Sequence, residues 1–380
     1  MQFEDIIGQQ SLKRRLLETI KNGRVSHAQL FLGKGVNGKF ALALAYAQYI
    51  NCENRTETDS CGVCPSCIKY QAFSHPDLFF SFPVNKAKSS SAKELQCTLF
   101  YKEWIEYLKA SQYYPHLQEW YKKLDIENKQ GAINVEEARR IIRDTSFKAV
   151  EAKYKVLIIW QPEKMNMQSS NLLLKFFEEP PERTLVFMVA DEKDQLLQTI
   201  QSRFQTIVVP KISDQDMMQH LKNKFPLLDD EQLLSAVKLA DGDLQKAYNG
   251  IQDSEKIKEH FVMFQSWMRM CYKTGSLEEI KAFVEKISRI GRENQKEFLS
   301  YSLRLVRECL LANYAHPSMN RLTTYEADWL VRFHPFIHIN NRMIAQMFDK
   351  AIYEIGRNAS ASVLFMKLSL DLSQLLKIKP

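Results

Sequence analysis

The chain has 380 residues, 45% hydrophobic and 26% charged, with a formal net charge of +7; such a composition is that of a soluble globular protein, and the length exceeds one ordinary core, so two or three domains are expected. No apolar run reaches the roughly 18 residues that a membrane-crossing helix requires, and the opening MQFEDIIGQQ is unlike a secretory signal. The mild basicity fits an acidic partner such as nucleic acid and equally an ordinary solvated surface.

Residues 11–21 place Leu12, Leu16, Leu17 and Ile20 on one helical face, with Ser11 at the N-cap position. Gln29 to Leu32 reads as a short buried strand, and Lys39 to Ile50 as an apolar helix. Between them runs GKGVNGKF, Gly33 to Phe40. Strand, glycine turn and helix in that order make a phosphate-loop context. Gly33, Gly35 and Gly38 let backbone N–H groups curl around phosphates, and Lys39 reaches the outer ones. The next position should carry a hydroxyl for Mg²⁺; here it is Phe40, which cannot ligate a metal. The pattern predicts a nucleotide-binding fold without turnover, and leaves open whether ATP or ADP is still held.

Cys52, Cys61, Cys64 and Cys67 follow, the last three written CGVCPSC. Thiolates at this spacing can close a tetrahedral shell around a structural Zn²⁺, with reduced thiols or a redox pair as the alternative. Chelation would anchor the helix ending near Ile50 to a strand expected over Leu78 to Phe82. Cys97, Cys271 and Cys309 are isolated and read as core or surface thiols.

Residues 84–130 change character. A polar run, KAKSSSAK, precedes aromatic-rich helical text, and the stretch reads as an insertion on the surface of an α/β core. A helix over Asn134 to Asp144, a continuous apolar strand over Lys155 to Trp160, a helix from Ser170 to Glu179 stopped by Pro180 and Pro181, and strands over Thr184 to Ala190 and Gln205 to Val209 complete about five strands separated by helices. That alternation predicts a mostly parallel sheet with right-handed crossovers. After Pro210 the strands stop. The expected domains are an α/β unit over 1–210, with a zinc module at 52–67 and the insertion at about 84–130, a small helical unit over 211–255, and an all-α region over 256–380.

A nucleotide hydrolase would place two acids at the end of the strand KVLIIW, one for Mg²⁺ and one to polarise water. This chain has Trp160 and Gln161 there, with Glu163 a weak substitute beyond Pro162. Ser202 and Arg203, just before the last strand, are the remaining polar pair of interest. An arginine entering a neighbour's site can stabilise charge on a γ-phosphate; a lone arginine is otherwise a surface residue or an ion-pair partner.

Several segments then line up in one order: DIIGQQ, SHAQLFLGKGVNGK, CGVCPSC, HPDLFF, NLLLKFFEEPPERT and QTIQSRFQ. Together they resemble the delta-prime subunits of bacterial DNA polymerase III clamp loaders, a family of the AAA+ clan. The resemblance covers roughly residues 1–250 outside the insertion, and extends faintly to GRNASASVLFMKLSLDLSQLL near the end. It implies a P-loop AAA+-like domain with an inserted zinc module, a helical lid, and an all-α collar for oligomerisation. The collar's apolar faces would include Val363, Leu364, Met366, Leu368 and Leu372.

By the same resemblance, the motor subunits' hydroxyl, acid pair and second-domain arginine correspond to Phe40, to Trp160 and Gln161, and to Gln245. Ser202 and Arg203 are retained from a Ser-Arg-Cys motif whose cysteine is Phe204 here. The implied protein is a catalytically silent, cytoplasmic subunit that supplies Arg203 in trans to a neighbour's ATP. It would help motor and delta-type subunits to place a sliding clamp on primed DNA, with Cys52, Cys61, Cys64 and Cys67 on zinc. The alternatives are an active clamp-loader ATPase and a zinc-dependent DNA-binding module.

Overall fold

The apolar runs become five strands in the computed structural model, which describes residues 1–85, 95–126, 129–273, 277–314, 321–337, 340–357 and 359–377. They are β1 (Ala28–Leu32), β2 (Leu78–Ser81), β3 (Lys155–Trp160), β4 (Thr184–Ala190) and β5 (Gln205–Val208). All pair in parallel, in the order β2-β3-β4-β1-β5. Leu30 faces Met188 on one side and Thr206 on the other, and Ile158 lies between Phe80 and Phe187. Every residue of β3 and β4 is buried. A sheet covered on both faces requires such uninterrupted apolar strands.

The helices of this part are α1 (Gln10–Lys21), α2 (Lys39–Asn51), α3 (Pro65–Ala72), α4 (Tyr101–Ala110), α5 (Leu117–Lys123), α6 (Val135–Ser146), α7 (Met167–Glu178) and α8 (Gln198–Gln201). Asn134 caps α6 by accepting the Glu137 N–H at 2.9 Å. Ser11, in contrast, does not cap α1. Gly8 and Gln9 both take left-handed backbone angles, so the helix starts at Gln10. The Gln9 amide instead donates to the carbonyls of Asn37 and Pro210. The seventh helix begins earlier than the apolar text suggests, because the Asn166 side chain accepts the Ser169 N–H at 2.8 Å.

Residues 84–130 are not merely a surface addition. Trp104 on α4 and Trp120 on α5 are fully buried, and the polar run Lys86 to Lys93 lies outside the described residues.

Beyond β5 the described chain is helical: α9 (Asp214–Lys224), α10 (Asp230–Ala240), α11 (Leu244–Gln252), α12 (Ser254–Tyr272), α13 (Leu277–Ser288), α14 (Arg292–Tyr314), α15 (Thr324–Ile337), α16 (Asn341–Gly356) and α17 (Ala361–Leu375). The chain divides into two compact units, residues 1–226 with 241–245, and residues 227–240 with 246–380. The second has its own aromatic core around Trp267, whose ring stacks on Phe283 and Phe348 and whose Nε1 donates to Ser369 Oγ at 2.9 Å. Leu364, Leu368 and Leu372 face inward there, Met366 is partly buried, and Val363 is exposed. No described helix is long and apolar enough to cross a membrane.

Candidate functional site

The first strand stops at Leu32, and the loop GKGVNG carries the chain to Lys39 at the start of α2. Gly38 precedes the helix with φ +90°, a left-handed angle that suits glycine. Gly33 donates its N–H to the Ala190 carbonyl at 3.2 Å. A side chain there would come within 2.5 Å of the Val209 carbonyl oxygen, so the loop closes onto the sheet only with glycine at this position. The Asn37 amide clamps the same carbonyl at 2.8 Å. Lys39 is buried; its ammonium donates to the Gly35 carbonyl and pairs with Asp191, just past β4, at 2.8 Å. The Asp243 carboxylate stands directly over Gly35. The loop that could surround phosphates is thus filled by the chain's own lysine and faced by two of its carboxylates.

The two positions expected to hold Mg²⁺ carry rings, and those rings are buried. Phe40 lies 6.3 Å from Phe80 and 5.8 Å, edge-on, from Trp104. Trp160, at the carboxyl end of β3, lies 5.0 Å from Trp104. The Trp104 ring also stacks on Phe82 at 4.3 Å and meets Trp120 at 5.0 Å. Trp120 donates its Nε1 to the Pro83 carbonyl at 2.8 Å. An apolar cluster this dense offers a metal no oxygen, and ring pairs at such separations each add to packing beyond simple burial. Gln161 is buried with φ +56° and donates its N–H to Val189. Glu163 serves the backbone: its Oε1 accepts the N–H groups of Asp191 and Glu192. Burial raises its carboxyl above the ordinary range, although those N–H groups oppose the shift.

Sequence reasoning passed over Tyr114, His116, Asp191 and Asp243. Tyr114 is buried against Gly38 and accepts the Ile7 N–H at 2.8 Å. His116 lies in the fields of Asp243, Asp191 and Lys39, with burial lowering its pKa. An acid directly after a strand next to β1 was the available signal for Asp191. Tyr114, on a loop of the insertion, left no such signal.

The four cysteines converge. All four sulfurs lie within 4.8 Å of one another, with Cys52 to Cys61 at 3.6 Å and Cys61 to Cys67 at 4.0 Å. Four Zn–S bonds of about 2.3 Å in a tetrahedron put sulfurs about 3.8 Å apart, so this donor set fits the ion, and the separations are too long for disulfides. Backbone N–H groups of Cys61, Cys64 and Cys67 point at the sulfurs of Cys52, Cys61 and Cys64, at 3.3, 3.3 and 3.4 Å. Amides of Val63 and Cys64 draw the Cys61 thiol down to about 6, while burial pushes Cys52 and Cys67 up. Cys64 also caps α3, with Pro65 as its first residue. Asn51, at the end of α2, donates to Tyr70 on α3 and to the Tyr154 carbonyl ahead of β3, both at 2.8 Å.

Arg203 lies between α8 and the edge strand β5. Its guanidinium pairs with Glu178 at the end of α7 and donates to the Thr199 carbonyl. Its Nε is buried and has no hydrogen-bond partner among the described residues. Ser202 donates to the same carbonyl at 3.1 Å, and Phe204 packs edge-on against Phe177 at 5.1 Å. Gln245, on α11, takes its backbone bond from N–H to Asp243 at 3.0 Å.

A five-stranded parallel sheet with a phosphate loop after β1 defines a P-loop α/β protein, and comparison with known sequences places it among the AAA+ clamp-loader proteins. The family described as "DNA polymerase III, delta subunit" matches residues 8–213, and the chain belongs to it. It is 24% identical over 248 residues to the DNA polymerase III subunit tau/gamma of Haemophilus influenzae, covering 64% of this chain and 29% of that protein. It is 25% identical over 265 residues to the DNA polymerase III subunit gamma of Buchnera aphidicola, covering 68% and 58%. The chain therefore spans only part of the length of these relatives. A gamma-subunit-related protein of Thermotoga maritima aligns with 95% of this chain and 100% of its own at 14% identity, with a TM-score of 0.37.

Proposed function

We propose that this chain is a delta-prime-type, catalytically silent subunit of a DNA polymerase III clamp loader, supplying Arg203 to the ATP of a neighbouring motor subunit. One observation carries the reading: Phe40 and Trp160, which stand where metal-binding oxygens belong, are buried together around Trp104. A site without those oxygens has no means of holding Mg²⁺ against a γ-phosphate. The chain's contribution to turnover then has to be made to another subunit's nucleotide. Arg203, near the edge of the sheet and with Ser202 beside it, is the group suited to that task. The relatives' own names, subunits of DNA polymerase III, support a hetero-oligomer; in this reading it is cytoplasmic, opens a sliding clamp and places it on primed DNA.

In this reading Cys52, Cys61, Cys64 and Cys67 hold a structural zinc, which supplies rigidity and no catalysis. The reading keeps the proposed domains: an AAA+-like unit to about residue 210, a lid to about 255, and a collar over 256–380 through which subunits would assemble. Against the rival of an active ATPase, Glu163 is committed to the Asp191 and Glu192 amides. Against a DNA-reading zinc module, the cysteine segment exposes Val63 and Ile68, and Lys69 is engaged by Glu151.

Reconstitution with motor subunits tests the proposal. Arg203→Ala is expected to leave the complex assembled and to lower its DNA-stimulated ATPase, a trans arginine being worth about 10³–10⁵ in rate at the one site it serves. An unchanged rate removes Arg203 from the mechanism. Magnesium-dependent ATP hydrolysis by the isolated chain would overturn the silent assignment itself.

A further inference from the structure

The geometry points to a second role for the segment from Cys97 to Ile126: it is a built-in occupant that closes the phosphate loop of its own chain against nucleotide. An anion is received at the N-terminus of a helix, where amides are unpaired and the dipole is positive. At the N-terminus of α2 the Lys39 N–H is taken by the Asn37 side chain at 3.4 Å, and Tyr114 packs against Gly38 beside it. An added Cβ on Gly38 would lie 3.3 Å from the Tyr114 Cε1 and 3.6 Å from its hydroxyl oxygen. The same hydroxyl accepts the N–H of Ile7 at 2.8 Å, so one side chain spans the N-terminal segment and the loop.

The rest of the segment completes the closure. Trp104 packs on Phe40 and Trp160, filling the space beside α2 in which a metal would otherwise need oxygens. His116, on the same segment, is half-buried and feels the charges of Asp243, Glu119, Asp191 and Lys39. Charge agrees with shape. Lys39 is paired with Asp191, and the Asp243 carboxylate crowds Gly35. An entering polyphosphate would have to break that ion pair, meet a second carboxylate and displace a buried ring. Because the occupant is covalently part of the chain, its local concentration does not vary with the cell's nucleotide level. The N-terminal unit therefore keeps one conformation whether or not nucleotide is abundant. This inference does not depend on the trans role of Arg203, which is read in a different assay, so either can fail alone.

The test uses the full chain, with ADP and Mg·ATP as probes at millimolar concentration, read by thermal shift and by calorimetric titration. A ligand that binds only the folded state raises its melting temperature. The wild type is expected to show no shift and no heat, and saturable binding of either nucleotide overturns the proposal. Tyr114→Ala uncovers Gly38 while retaining Lys39 and all three loop glycines, and is expected to gain ADP-dependent stabilisation. If that variant keeps native circular dichroism yet ignores ADP, Tyr114 is not the occupant. Should Tyr114→Ala fail to fold, Tyr114→Phe keeps the ring and deletes only the hydroxyl. Hydrogen exchange at the Ile7 amide is then expected to quicken at least tenfold with ADP still excluded; unchanged exchange overturns the contact.

Discussion

Replacing Trp104 by alanine separates an insertion lying on the surface from one that is part of the core. Trp104 is fully buried, and its ring meets Phe40, Phe82, Trp120 and Trp160. Truncating such a side chain costs roughly 3–5 kcal/mol. Its Nε1–H is buried without an acceptor among the described residues, a penalty of roughly 1–3 kcal/mol that truncation relieves, so a net loss of about 2 kcal/mol is expected. For a unit of this size, at about 2–4 °C per kcal/mol, the melting temperature should fall by roughly 4–8 °C. Scanning calorimetry of wild type and variant measures it. The orphan N–H sharpens the case. Trp104→Phe should cost less than Trp120→Phe, because Trp120 donates to Pro83 and its loss strands that carbonyl. A fall for Trp104→Ala within the about ±0.5 kcal/mol of an ordinary surface change would refute the argument.

Three further outcomes are expected. Elemental analysis should find about one zinc per chain, lost in Cys64→Ser together with much of the N-terminal unit's stability; a well-folded, metal-free wild type would refute the site. For Glu163, the raised carboxyl means that the native state takes up its proton before the unfolded chain does, whose value is near 4.3. Between that value and the raised one, stability from this group therefore increases as pH falls. Glu163→Gln should remove that feature from a series of urea midpoints across acidic pH, and a wild-type-like profile would show that another group carries it. The same variant should leave the ATPase of a reconstituted complex unaltered, since its amide oxygen can still accept the Asp191 and Glu192 N–H groups; a marked loss would revive Glu163 as a catalytic acid.

The sheet was legible in the sequence because β3 and β4 are uninterrupted apolar runs, which only a strand covered on both faces tolerates. The helix boundary at Asn134 was legible for the same local reason, a side chain capping its own helix. Boundaries failed where the determinant was remote. Ser11 looked like a cap, yet Gln9 reaches across to Asn37 and Pro210 and takes the cap position two residues earlier. At the candidate site, the glycines, Lys39 and the four cysteines declared themselves by spacing. What spacing could not reveal was the fate of the substituted positions. Phe40 and Trp160 appeared as losses, and only the fold shows that Trp104 packs against both. Trp104, Tyr107 and Leu108 do form an apolar face at helical spacing, but the polar residues around them read as solvent-facing, and nothing local names a distant partner. Asp243 likewise reaches Gly35 only through the fold.

The start of the chain links two features otherwise far apart in sequence. The Asp59 carboxylate, within the cysteine segment, accepts the N–H groups of Phe3 and Glu4 at 3.0 and 2.9 Å, while Tyr114 takes that of Ile7. The stretch between is folded into turns, the Asp5 and Ile6 N–H groups donating to the carbonyls of Gln2 and Phe3 at 3.3 and 3.2 Å. It works as a compact clasp, fastened to the cysteine segment at one end and to the ring beside Gly38 at the other. Trimming the first few residues would release both fastenings together.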